Sequence, residues 1–236
     1  MNSSSYCVGV DGAKRGWIGV WRHPAGLEFN VYSSAGELAA VHRRAQVIAV
    51  DIPIGLSDLG PRAPDVLART FVGGKRASSI FSAPVRGILD AESQPEASRR
   101  HREIDGRGFG AQAFAILSKI REWDSLLQAD PLARRQVHEI HPEVSFAVLN
   151  GNHGLADGKK SAAGAEARQR LLSAAFQAAE IEALLAAVPR RLAARDDVLD
   201  ALAALWSAER IQRGASGSLP SPVTFDSCAI PTAIHY

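Results

Sequence analysis

A chain of 236 residues, 46% hydrophobic and 22% charged, can bury a substantial core and suits one α/β domain carrying an insertion. A formal charge of +2 admits a phosphate-bearing partner without demanding one. No apolar run approaches the roughly 18 residues of a membrane span, and the polar start Met1–Ser5 lacks the basic and apolar regions of a secretory signal, so a cytoplasmic protein without a membrane partner is expected. Cys7 and Cys228 have no metal-ligand spacing and read as reduced thiols.

The first predicted element is SYCVGVDGAKRGWIGV, Ser5 to Val20, a strand ending in a carboxylate that turns through glycines into a second strand. Val8 and Val10 alternate with Cys7, Gly9 and Asp11, which places Asp11 on the opposite face near the strand's end. Leu27–Tyr32 reads as a third strand, antiparallel to the second. Ser34–Arg43 reads as a helix capped by Ser34, with Leu38 and Val41 on its apolar side. Next, QVIAVDIPIG (Gln46–Gly55) is apolar on both faces, the pattern of a buried parallel strand, and it too closes on an aspartate, Asp51.

From Leu56 to Gly108 the periodicity weakens, and an insertion over the active face is expected at about 56–108. Lys75, Arg76 and Arg86 are its candidate phosphate contacts, since arginine forks match phosphate oxygens, and Lys14 and Lys159 are further candidates elsewhere. Arg99–Arg107, partly neutralised by Glu103 and Asp105, reads as solvated surface.

Phe109–Leu127 predicts an amphipathic helix through Phe114, Leu117, Ile120, Trp123 and Leu127. Gln136–His141 follows as a short strand. In HEIHPEVSF the spacing is not the helical H-E-x-x-H of zinc proteases, and Pro142 argues against a helix there. The preferred reading puts Glu139, His141 and Glu143 on one face at the end of a parallel strand, where they support a carboxylate site from behind. A long helical region is expected over Ala163–Val188, and a last helix over Asp196–Ile211. In that helix Asp197, Ala201, Ala204 and Ala208 form a row of short side chains that permits close approach to the sheet. Asp196 reads as its cap, with Asp197 and Asp200 turned toward Asp11. The tail from Gly214 reads as mostly irregular, with room for an edge strand.

No repeat, G-x-G-x-x-G, P-loop or G-x-S-x-G elbow is present, which removes the commonest cofactor enzymes. If the strands of Asp11 and Asp51 are parallel neighbours, their carboxylates lie side by side and the last helix adds Asp197 and Asp200. Like charges so gathered raise one another's pKa and call for a cation, and hard oxygen donors select Mg²⁺ or Mn²⁺. Two such ions can activate water and stabilise the leaving oxygen in phosphodiester hydrolysis.

VGVDGAKRGW, AVDIPIG, SSIFSAPVRG, QAFAI followed by Lys119, EIHPEVSF and DDVLDALAALW together resemble the domain-of-unknown-function 429 family, regarded as predicted nucleases of the ribonuclease H-like superfamily. DDVLDA also resembles the last acidic motif of RuvC-type resolvases. The hairpin pair followed by helix-linked strands leads to a mixed five-stranded α/β sheet in the order 3-2-1-4-5, its second strand antiparallel, with helices on both faces, and the resemblance implies that this sheet is ribonuclease H-like. The resemblance carries the catalytic and metal-binding roles onto Asp11, Asp51, Asp197 and Asp200, with Mg or Mn in a two-ion site and nucleic acid or another phosphoester as substrate. Asp51 stands where many superfamily members have glutamate, a shorter arm that alters metal spacing. Two other readings are an inactive phosphate- or nucleic-acid-binding module of the same fold and an actin-like ATPase, although the chain lacks the second copy of the fold the latter needs.

Overall fold

The structure, a computed structural model, describes residues 6–236; the polar start Met1–Ser5 lies outside the described residues. The opening hairpin forms as β1 (Cys7–Ala13) and β2 (Gly16–His23), followed by β3 (Gly26–Tyr32). Helix α1 (Ala35–Val41) is capped by Ser34, whose Oγ accepts from the Glu37 N–H at 3.0 Å. Leu38 is buried, but Val41 projects into solvent at 60% exposure, so the apolar side of this helix is narrower than its sequence suggests. Then comes β4 (Val47–Val50), buried throughout.

The expected insertion contains two helices, α2 (Ala63–Val72) and α3 (Gln94–Asp105), with short 3₁₀ turns at 74–79 and 86–88. The predicted helix over Phe109–Leu127 is broken at Ala115–Ile116 into α4 (Ala111–Phe114) and α5 (Leu117–Ala129). Leu117, Ile120, Trp123 and Leu127 keep their common buried face. Short α6 (Pro131–Gln136) leads into β5 (Val137–Glu139).

Helix α7 (Pro142–Leu149) overturns the reading of Pro142 as a helix breaker. A proline in the first turn removes only an N–H that has no helical acceptor anyway. His141 caps this helix, its Nδ1 accepting from the Glu143 N–H at 3.2 Å. Glu139, His141 and Glu143 therefore do not continue one strand: the first ends β5, the second is a cap and the third sits in a helical turn. The long helical region divides into α8 (Ala162–Leu172) and α9 (Ala178–Ala187), because Gln177 starts a new helix, its N–H donating to the Glu180 carboxylate. After α10 (Arg195–Gln212) the tail forms a hairpin of β6 (Ser218–Phe225) and β7 (Pro231–His235), more regular than expected.

The sheet order is β3-β2-β1-β4-β5, with β2 antiparallel to both neighbours and β1, β4 and β5 mutually parallel. A single parallel bridge, Ile140 to His235, places β7 beyond β5. One face buries Val8, Val10, Ile48 and Val50 against Leu38, Ile120 and Trp123. The other buries Cys7, Ala49, Ile18 and Val20 against α10 and the residues of α8 and α9 that pack beside it.

That second face explains Gly9. A Cβ there would lie 2.1 Å from the Leu205 nitrogen and 2.2 Å from the Ala201 oxygen. The helix backbone thus rests directly on β1, permitted by Gly9 on one side and by the fully buried Ala201, Ala204 and Ala208 on the other.

Candidate functional site

Val10 pairs with Val50 in the parallel register of β1 and β4, and the Asp51 N–H donates to the Val10 carbonyl at 3.0 Å. Asp11 and Asp51 therefore leave adjacent strands at the same edge of the sheet. Asp200, on the second turn of α10, approaches the same place because Gly9 lets that helix descend onto β1. Together with Asp197 these residues line one cleft of about 410 Å³.

Glu139, His141, Glu143, Arg76 and Lys159 line it as well. Three sequence candidates are placed elsewhere among the described residues, and one of them, Lys75, is exposed on the 3₁₀ turn at 74–79 and does not line the cleft. Lys14 is exposed in the β1–β2 turn and does not line the cleft. Arg86 is held between Asp124, at 2.9 Å to both carboxylate oxygens, and Asp226, so its guanidinium is already committed to carboxylates in the fold. Asp196 is not the cap of α10; Ala194 holds that position. Asp197 closes the helix start instead, accepting from the Ala194 N–H at 2.8 Å, which uses part of its carboxylate locally.

Two arginines that brace cleft carboxylates from behind, and one lysine that lines the cleft, escaped the sequence reading as site residues. Arg62, 3% exposed, donates to Glu139 at 2.7 and 2.9 Å, to Asp65 at 2.7 and 3.2 Å, and to the Ile54 and Gly55 carbonyls at 2.8 Å. Glu139 also accepts from the Ile54 N–H at 2.7 Å, so it braces the turn after Asp51. Arg168, 1% exposed, donates to Glu143 at 2.6 Å. Lys119 crosses above Gly12, donates to the Ala13 and Gly16 carbonyls at 3.1 and 2.8 Å, and lies 4.6 Å from the Trp17 ring centroid. A Cβ on Gly12 would stand 2.9 Å from its ammonium. The glycine following Asp11 was the available signal for this lysine.

The electrostatics follow from burial and crowding. Burial, then Asp51 and Asp200, hold the Asp11 carboxyl well above the usual carboxylate range. Burial and Asp200 push Asp51 up to about 8. Burial also raises Asp200 and Asp197. Glu139 rises to about 7 by burial, despite Arg62. Burial, then Lys159, pushes His141 down to about 4, which keeps its imidazole neutral at physiological pH.

The donors suit a hard divalent cation. They are carboxylate oxygens, and the buried Asp200 Oδ1 and Glu143 Oε2 have no hydrogen-bond partner. Among the described residues, however, no three His, Cys, Asp or Glu side chains converge as a ready-made ligand set. The positive charge nearest the cluster is the Lys159 ammonium, which donates to Asp200 Oδ2 at 2.7 Å.

A family model described as "Protein of unknown function (DUF429)" matches residues 9–224. The chain belongs to this family. Its matched span takes in all four aspartates of the cleft and every lysine and arginine that borders them. Nothing among curated proteins or solved structures matches the chain. No helix among the described residues is long and apolar enough to cross a membrane.

Proposed function

We propose that this chain is a metal-dependent phosphodiester hydrolase of the ribonuclease H-like class, acting on nucleic acid with Mg²⁺ or Mn²⁺. The observation that carries the reading is the meeting of Asp11 and Asp51, from paired parallel strands, with Asp200 from the helix laid across them. Three crowded carboxylates, Asp11 and Asp200 buried and Asp51 half-buried, with Asp200 raising the pKa of the other two, cost folding free energy unless they serve a cation. The strand order, with the antiparallel β2 beside β1, supports the same class.

Asp11, Asp51 and Asp200 would hold the ion, with Asp197 at its margin. A bound divalent ion would supply an activated water and neutralise charge on phosphoryl oxygens. Arg76 borders the cleft 4.0 Å from Glu143, its buried Nε unpartnered, and is the residue best placed to receive a phosphate oxygen. Lys119 fixes the β1–β2 turn through two carbonyls and so orients Asp11 from behind.

The test is cleavage of labelled single-stranded, duplex and branched DNA and RNA with Mg²⁺ or Mn²⁺, comparing wild type with Asp11→Asn. Metal-dependent cleavage lost in the variant is expected. Absence of cleavage of every substrate with both metals, at enzyme in excess, would refute hydrolysis. One observation favours a second reading, a phosphate-binding module without turnover: Lys159 already neutralises part of the cluster. Retention of nucleic acid without cleavage, equal with and without metal, would select it.

A further inference from the structure

Lys159 comes from the loop between α7 and α8, with its side chain 39% exposed, and reaches inward to Asp200, whose side chain is 2% exposed. Its ammonium acts electrostatically on Asp11 and Asp51 as well as Asp200, so one lysine serves carboxylates from two strands and a helix. The loop is built to deliver it. Gly164 allows the Gly158 carbonyl to approach so closely that a Cβ would stand 2.0 Å away, and Ser161 Oγ donates to the same carbonyl at 2.9 Å. The backbone on either side of Lys159 is therefore anchored to the start of α8.

Charge sets how many further cations the cluster can take. Asp11, Asp51 and Asp200 carry three negative charges when ionised, and Asp197 is partly spent on the Ala194 N–H. One ammonium and one divalent ion balance three carboxylates, whereas two divalent ions beside the ammonium would leave an excess of positive charge in a buried site. The second oxygen of Asp200, Oδ1, is buried and unpartnered, so Lys159 leaves one ligand position on that carboxylate unused.

We propose that Lys159 is a tethered second cation of this site, so that the carboxylate cluster takes up a single divalent ion rather than two. The proposal rests on the reading of the cleft as a metal-dependent hydrolase and specifies how that site is charged. Lys159 would stay on Asp200 Oδ2 while the ion uses Oδ1, and the lysine would remain at hand for a phosphate oxygen of the substrate.

The experiment is Mn²⁺ titration of the full chain without substrate, followed by calorimetry and by electron paramagnetic resonance of free Mn²⁺. Wild type and Lys159→Arg are expected to bind one ion with similar affinity. Lys159→Met, which removes a unit positive charge beside the ion, is expected to bind Mn²⁺ at least about tenfold more tightly. Lys159→Gln provides a second neutral variant, and the metal-free melting curve of each shows that it is folded. Two ions bound by wild type would overturn the inference while leaving the hydrolase reading intact. Affinity unchanged within about twofold in both neutral variants would also overturn it. No Mn²⁺ bound by any of the four proteins would instead remove the hydrolase reading on which it rests.

Discussion

Gly9→Ala tests the packing that brings Asp200 to the strand ends. On most strand surfaces the change would be neutral or slightly stabilising, because alanine has fewer unfolded conformations to lose, an effect of about 0.4–1 kcal/mol. Here the added methyl would stand 2.1 Å from the Leu205 nitrogen, 2.2 Å from the Ala201 oxygen and 2.6 Å from the Leu205 Cα. Ordinary van der Waals contact needs about 3.5–4.0 Å, so β1 and α10 must separate by roughly 1 Å or more. Neither side can yield locally, since β1 is paired on both edges and the obstructing atoms belong to helix backbone. Overpacking of this kind costs about 1–3 kcal/mol, and the upper end applies where both walls are main chain. Urea denaturation followed by circular dichroism should show a loss near 3 kcal/mol at unchanged m-value. Because Asp200 adjoins Ala201, whose carbonyl is obstructed, Mn²⁺ affinity should fall as well. A variant as stable as wild type or more so would mean that α10 does not rest on Gly9, and the placement of Asp200 would go with it.

In the metal-free protein Asp11 and Asp51 should each lower stability as pH rises toward about 8. Asp11 and Asp51 have folded-state pKa values raised above the unfolded ones, Asp51 to about 8, so the folded form holds protons that the unfolded form has released. Stability falls with rising pH for as long as the folded form keeps protons that the unfolded form has lost, at up to about 1.4 kcal/mol per pH unit for each group, and the fall ends as pH passes the folded-state values. His42, His138 and His141, each pushed down to about 4, and His235, also lowered by burial, act in the opposite sense until their unfolded forms lose their protons, so the trend is read as the difference between wild type and Asp51→Asn. Asp51→Asn should flatten the dependence of melting temperature on pH, and an equal slope in the variant would count against the crowding of these carboxylates. Arg62→Met should destabilise by about 3–5 kcal/mol in urea unfolding, because it strands Glu139 and Asp65 as buried unpaired charges. A loss below about 1 kcal/mol would show that the network around Arg62 is not intact.

The sheet was legible because its signals are local. Alternation about Asp11, the continuous apolar run closing on Asp51, and the hairpin glycines define three strands and their connection, and short crossovers leave few orders for the rest. The alanine row of α10 was legible too, but only as half of a contact, since nothing local marks Gly9 as its partner. Other features depend on distance in sequence. Arg62 meets Glu139 77 residues away and Arg168 meets Glu143 25 residues away, pairings that a single sequence does not disclose. Arg86 looked available for phosphate because Asp226, 140 residues on, was not visible as its partner. Helix α3 buries only Ala97 and His101, too few to draw an apolar stripe. Pro142 and Asp196 were misread for the opposite reason: the local rules are sound, but helix starts shift by one or two residues and a first-turn proline is compatible with helix.

The way α10 is seated divides the cleft into parts that open on different scales. Asp200 lies in a helix whose residues from Val198 to Ala208 are all buried, pressed on the central strand of the sheet. Its amide can exchange with solvent only when the whole sheet comes apart, so it belongs to the last region of the molecule to open. Lys159 hangs from a connecting loop in which Leu155 is the one buried apolar side chain between Gly151 and Ser161. That loop is tied to the start of α8 rather than to the sheet, so its opening is set by α8 and not by the strands. The anionic wall of the cleft is thus as stable as the sheet that carries it, while the stability of its cationic partner is that of a peripheral helix and its loop.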